Sequence, residues 1–480
     1  MKSDKGGIIM KNTYIFKKYF VYIVVVSILS VFFPAPVFAN SAQTNWIGTT
    51  STGAIVTDDT CPIVVEKEVL TFDIQEFPKQ HYKDIAEYLS YSGKVTAEYT
   101  FYNPADYTVS ATLVFPFGAV PDYGYLYDTQ AETRILNADT EKYDITINGE
   151  PVEKKLHHTL TYFGSQFNLS KDMALLHDGF MEDDFYYPDM PVTRYTYVPE
   201  GVDTETYDAA NAVFVLSADG TKTRVLMENQ NGGKLLDNAV QLEGWVKSGE
   251  FIVNVIGEPM NQMPQWKFYE TGACENEIEG SMILKDTEVT ILKDFALSAY
   301  DKNSGVSEAD WYNAVIESIK NMEWSNGAIS ASDFQFDISD RLMRWYEYDM
   351  TLEAGERIVN TVTAPIYPSF DMNYDPTIYE YTYLLSPAKS WKSFGTLDVA
   401  VNTPFYMTES GPEGFELTDD GYACHLTGLP KGELTFTLCS EPEPKAPVIH
   451  NNLLLLPIIV LCGAVLVILI ILLRKIKARR

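Results

Sequence analysis

Between Val95 and Phe115 apolar and polar side chains alternate with a period of two on both sides of a turn. Val95, Ala97, Tyr99 and Phe101 alternate with Thr96, Glu98, Thr100 and Tyr102. After Asn103-Pro104-Ala105-Asp106, Tyr107, Val109, Ala111, Leu113 and Phe115 alternate with Thr108, Ser110, Thr112 and Val114, until Pro116 and Gly118. Successive side chains of a strand point to opposite faces, so the pattern requires extended chain with one buried face, and the turn predicts a hairpin. The same signals recur along the chain. Ile145 and Ile147 run into Asn148-Gly149, a dipeptide that accepts the positive φ angles of a type I′ turn, and then Val152. Residues 213–216 lead to Asp219-Gly220 and return through 224–227; Phe251, Val253 and Val255 follow Ser248-Gly249. Residues 282–284 and 289–292 read as two more strands, and Met350 and Leu352 lead through Ala354-Gly355 to 358–362. Tyr379, Tyr381 and Tyr383 alternate, as do Leu397, Val399 and Val401. The 31 Tyr and 25 Phe fit strands better than helices. The expectation is a mainly β protein of β-sandwich type with one or two helices. One helix is expected over 308–323, where Ser307 and Asp310 resemble a capping box and Trp311, Val315, Ile319 and Met322 share a face. A second, short helix fits 82–89.

The ends predict location. Lys11, Lys17 and Lys18 precede a short apolar stretch, 19–33, and Val37-Phe38-Ala39 offers small residues for signal cleavage before Asn40. Met10 also reads as an alternative start, since Lys5-Gly6-Gly7 is encodable by a ribosome-binding run. Residues 453–473 carry no charge and are followed by Arg474, Lys475, Lys477, Arg479 and Arg480. A helix of that length, at ~1.5 Å per residue, spans the ~30 Å hydrocarbon core. Basic residues stay cytoplasmic, which predicts a single-pass cell-membrane protein, with its outer region extracellular and its C-terminus inside. The expected organisation is a signal peptide at 1–39, an N-terminal β domain at 40–157, and a middle region at 158–325 with a long insertion. A C-terminal β domain at 326–440, a Pro-rich stalk at 441–452, the transmembrane helix at 453–473 and a basic tail at 474–480 follow.

Charge excludes one class of partner. The chain carries 36 basic and 66 acidic residues, a net −30. Both ends are positive, so the excess lies outside, against the clustered Lys and Arg that nucleic-acid phosphates require. The lipid bilayer is the one expected partner, through 453–473; a protein or glycan partner stays open. No glycine-rich phosphate loop, GxSxG elbow or HExxH helix occurs, so no cofactor and no catalytic residue is expected. His157 and His158 are adjacent, and in a strand would face opposite ways, a poor metal site. Asp178, Glu182, Asp183, Asp184 and Asp189, and separately Asp371, Asn373 and Asp375, could offer oxygens to calcium, but read better as solvated acidic surface. The Cys residues are 61, 274, 424, 439 and 462, the last within the expected span. Cys424 and Cys439 flank a Pro-Lys-Gly turn; a two-residue turn at Lys431-Gly432 would set them opposite each other, as a disulfide or as two free thiols. Cys61 and Cys274 would be the remaining pair.

Thr100-Phe101-Tyr102-Asn103-Pro104 with Phe115-Pro116-Phe117 resembles the paired strands of secreted bacterial domains of unknown function, some similar to the vault/inter-alpha-trypsin type of β-domain. Tyr381 to Ala388, then Trp391, Phe394-Gly395 and Thr403-Pro404, is similar to the C-terminal part of such proteins. The resemblance covers about a third of the chain, lacks any von Willebrand-type domain, and implies no catalytic residue. The reading is a non-catalytic surface protein for binding, adhesion or envelope organisation. A carboxylate-using envelope hydrolase and a sensor subunit acting through a membrane partner are the alternatives.

Overall fold

The computed structural model describes residues 45–46, 51–52, 54–57, 60–79, 82, 85–118, 143–160, 169–217, 219–228, 230–236, 239–322, 338–339 and 341–446. The expected signal peptide, the second half of the stalk, the span and the tail lie outside these residues. Among the described residues no helix is long and apolar enough to cross a membrane. Residues Asn45–Met372 and Pro376–Pro444 form one compact unit. In the other unit, Asp375 and Lys445 exchange an antiparallel bridge.

One layer of the main sandwich is an eight-stranded sheet in the order Glu416–Thr418, Gly421–Leu426, Phe394–Asn402, Val64–Asp73, Lys94–Tyr102, Arg357–Pro365, Asp144–Ile147, Glu150–Pro151. Val64–Asp73 and Phe394–Asn402 run parallel; the other neighbours are antiparallel. The facing layer combines a sheet of Ile55–Val56, Val109–Gly118, Leu342–Leu352 and Lys155–Leu160 with one built on Ser369–Asp371, Ile378–Leu384, Leu434–Cys439 and Tyr406–Gly411. A single core joins them: Leu70, Phe72, Tyr99, Phe101 and Val399 from the large sheet meet Leu113, Tyr348, Tyr383, Phe436 and Leu438.

Residues 95–115 illustrate what alternation fixes and what it leaves free. Val95, Ala97, Tyr99 and Phe101 are buried, as are Val109, Ala111, Leu113 and Phe115. The expected hairpin does not form. Lys94–Tyr102 pairs with Val64–Asp73 and Arg357–Pro365, whereas Val109–Gly118 pairs with Leu342–Leu352 in the opposite layer. The connection is an arch across the core. Asn103, fully buried, closes it: its Nδ2 donates towards the carbonyls of Tyr107 at 2.8 Å, Leu352 at 3.1 Å and Glu353 at 3.0 Å, and its Oδ1 accepts from Ala105 N at 3.0 Å. Those bonds tie it to a second arch, Leu342–Leu352 to Arg357–Pro365, whose turn uses Gly355 at φ 73°.

The disulfide expectation is corrected for the same reason. Gly421–Leu426 belongs to the eight-stranded sheet and Leu434–Cys439 to the facing one, so 427–433 is also an arch. Cys424 stands opposite Val399 and Cys439 opposite Ile378 and Tyr406. Cys274, Cys424 and Cys439 are free thiols. Asn148-Gly149 does form its expected hairpin, with Thr146 opposite Pro151, Ile147 opposite Glu150, and φ angles of 50° and 85°.

The expected border between N- and C-terminal β domains does not follow the sheets, because strands from both interleave in each layer. What separates is the middle region. Pro191–Glu200, Thr223–Met227, Phe251–Gly257 and Ser281–Ile291 make one sheet, and Gln230–Leu236, Ala239–Trp245, Asn211–Ser217, Gln265–Tyr269 and Glu277–Ile278 make another. They enclose a second core of Tyr197, Phe214, Leu242, Phe251, Val253 and Phe268. The two strands expected within 282–292 are thus the single strand Ser281–Ile291, and the middle region expected to hold a long insertion contains the regular strand Pro191–Glu200.

The helix Glu308–Met322 forms as expected, next to the short Leu292–Leu297. Asp310 N donates to Ser307 Oγ at 3.0 Å. The Asp310 carboxylate does not complete a capping box; its Oδ2 accepts from His158 N at 3.0 Å. Trp311, Val315, Ile316 and Ile319 pack against Leu160 of the first sandwich and Val192, Leu226 and Ile256 of the second. The second expected helix is the short Ile85–Leu89.

Candidate functional site

Four strands of the large sheet stop at the same end. The register aligns Asp73 with Lys94, Lys94 with Pro365, and Thr363 with Asp144. Beyond these ends the chain from Ile74 to Gly93 loops out, carrying the Ile85–Leu89 helix. The result is a groove of about 760 Å³ walled by Tyr91, Tyr143 and Tyr367 and edged by Asp73, Lys94 and Asp144. Tyr91 and Tyr367 stack with ring centroids 5.2 Å apart. Asp73 is fixed at the rim, accepting from Asn402 Nδ2 at 2.8 Å and lying 3.6 Å from Lys94 Nζ. The groove is not legible in the sequence, because its walls come from segments far apart in the chain. Loops at the ends of a rigid sandwich are where such folds place recognition.

A second polar feature is sealed in the core. Glu68, 1% exposed, accepts from Tyr99 Oη at 2.7 Å and Tyr383 Oη at 3.2 Å. Burial raises its pKa from 4.5 to about 7, against the opposing pull of the two tyrosine hydrogen bonds. The same burial, with Glu68 alongside, pushes both tyrosines well above their ordinary value.

His157 and His158 do face opposite ways, and both are buried. His158 Nδ1 lies 3.5 Å from Asp310 Oδ2, and desolvation lowers its pKa despite that carboxylate. His157 gathers different company: its Nε2 is 3.7 Å from Glu347 Oε2, with Asp178 alongside.

Of the remaining acidic candidates, Asp183 is engaged locally. Asp183 Oδ1 accepts from Phe185 N and Tyr186 N, and its Oδ2 meets Lys320 Nζ at 2.7 Å; despite the cost of burial, these bonds hold its carboxyl below the usual range. Asp371 ends the strand Ser369–Asp371, opposite Ile378. Of the five carboxylates between 178 and 189, Asp183 thus holds a turn and a salt bridge, while Asp178 pairs with Lys155 beside His157.

No protein-family model and no curated protein matches the chain. Among solved structures, a Legionella pneumophila protein described as a candidate nutrient binding protein is similar at 10% identity and a TM-score of 0.35, covering 82% of this chain and 72% of that one.

Proposed function

We propose that this chain is a single-pass surface protein whose β-rich outer region is a non-catalytic binding module, with its ligand in the groove at the Asp73, Lys94 and Asp144 end of the large sheet. The observation that supports it is the groove itself: at about 760 Å³ it has the size of a small-molecule or oligosaccharide site. Tyr91 and Tyr367 are buried and stacked on each other, so the half-buried Tyr143 is the ring left for a ligand; beside carboxylates and an ammonium it suits a glycan, whose C–H face packs on the ring while its hydroxyls bond the charged rim. Asp73, held by Asn402 and Lys94, is a fixed hydrogen-bond acceptor on the rim. The uncharged run 453–473 and the basic residues after it support the anchor and its orientation.

The test uses intact cells carrying the full chain. They should retain envelope polysaccharide, and the double variant Tyr143→Ala with Asp144→Asn should lose about tenfold in affinity, the loss of one good stacked and bonded sugar. Protease added outside should abolish retention and leave a stub of about 3 kDa, the span and tail. Unchanged binding by the double variant, or a protected outer region, overturns the reading. Cleavage of the retained polysaccharide would assign the groove to a hydrolase instead.

A further inference from the structure

The strand Lys155–Leu160 sets Lys155 opposite Glu347 and His157 opposite Trp345. Lys155, His157, Trp345 and Glu347 therefore share one face, with His157 and Glu347 diagonal neighbours within reach of long side chains. The chain after the helix Leu169–Met173 crosses this face. Met173 and Leu176 pack beside Trp345, and Asp178 arrives over the His157–Glu347 pair. Oxygens of Asp178 and Glu347 and a ring nitrogen of His157 all lie within 4.8 Å of one another. The His157 side chain is only 3% exposed, and its Nε2 has no hydrogen-bond partner. A buried nitrogen left so keeps its desolvation cost uncompensated, which an occupant of the cluster would relieve.

We propose that His157, Asp178 and Glu347 bind a divalent transition-metal ion, Zn²⁺ before others. One imidazole and two carboxylates are a borderline donor set; the nitrogen disfavours calcium and magnesium, which take oxygens. Bonds of ~2.0–2.2 Å put the ligand atoms of a tetrahedral ion roughly 3.3–3.6 Å apart, close to the 3.7 Å between His157 Nε2 and Glu347 Oε2. Asp178, whose side chain is 80% exposed, closes the remaining gap by turning in. Lys155 now pairs with Asp178 and lowers its pKa; the ion replaces that ammonium. Three protein ligands leave a fourth position to water or a ligand atom.

Chelator-treated full-length protein in detergent is titrated with Zn²⁺ by calorimetry, and with Co²⁺ by visible absorption. One saturable site with a tetrahedral Co²⁺ spectrum is expected. Asp178→Asn and Glu347→Gln each weaken it at least about tenfold, and Lys155→Met tightens it by removing the competing cation. Because His157 is buried and its replacement can unfold the chain, the exposed Asp178→Asn carries the decision. Absence of saturable binding, or equal affinity in wild type, Asp178→Asn and Glu347→Gln, overturns the proposal.

Discussion

At Glu68 the large sheet places a carboxyl in the row that continues as Leu70 and Phe72, all three buried. The folded protein keeps this proton up to about pH 7, whereas an unfolded chain releases it near 4.5. Between those values the native state binds the extra proton, so stability is full below 4.5 and falls as pH rises towards 7. At about 1.4 kcal/mol per pH unit the loss reaches roughly 3 kcal/mol. Glu68→Gln keeps an acceptor for Tyr99 without the charge. We expect urea midpoints of the two proteins to coincide near pH 4.5 and the variant to exceed the wild type at pH 8; equal slopes would refute this. Nothing in Val64-Val65-Glu66-Lys67-Glu68 marks the last residue as a core group. A register shift between Val65 and Lys67 turns Glu68 inward, and strand pairing decides that. His157 and Glu347 were illegible for a similar reason, since only the ladder between distant strands makes them neighbours.

At the scale of elements, alternation identified the buried faces and turn chemistry identified only some of the pairings. Asn148-Gly149 takes two positive φ angles, a twist that matches an antiparallel ladder and returns the chain beside itself. Asn103 to Thr108 is longer and offers instead an Asx turn, Ala105 N to Asn103 Oδ1, which permits the chain to leave its sheet. Asp219-Gly220 behaves likewise: Asn211–Ser217 and Thr223–Met227 lie in different sheets. The helix Glu308–Met322 was legible because its cap and stripe are local, while the target of Asp310 was not. Ser307→Ala should cost about 1 kcal/mol as an ordinary lost cap. Asp310→Ala should cost more, about 2–3 kcal/mol, because it strands the buried His158 N–H. Denaturant midpoints of the two single variants check the order; a costlier Ser307→Ala would contradict it.

Taken whole, the molecule is stitched from both halves of its chain. Fragments 40–157 and 326–440 each hold only some of the strands of the large sheet, so neither can complete it. Each alone should show little protection in hydrogen exchange, and an equimolar mixture should regain strand circular dichroism; a stable 40–157 fragment would disprove the interdependence. The parallel pairing of Val64–Asp73 with Phe394–Asn402 also sets a timetable. Its second strand is made about 330 residues after the first, which at ~5–20 residues per second means roughly 16–65 s. Through that interval Leu70 and Phe72 wait on an open strand edge, the form most prone to pair with a neighbouring nascent chain. The cell must therefore shield the early strands with a holding chaperone, or keep newly made copies apart, until the late strand arrives.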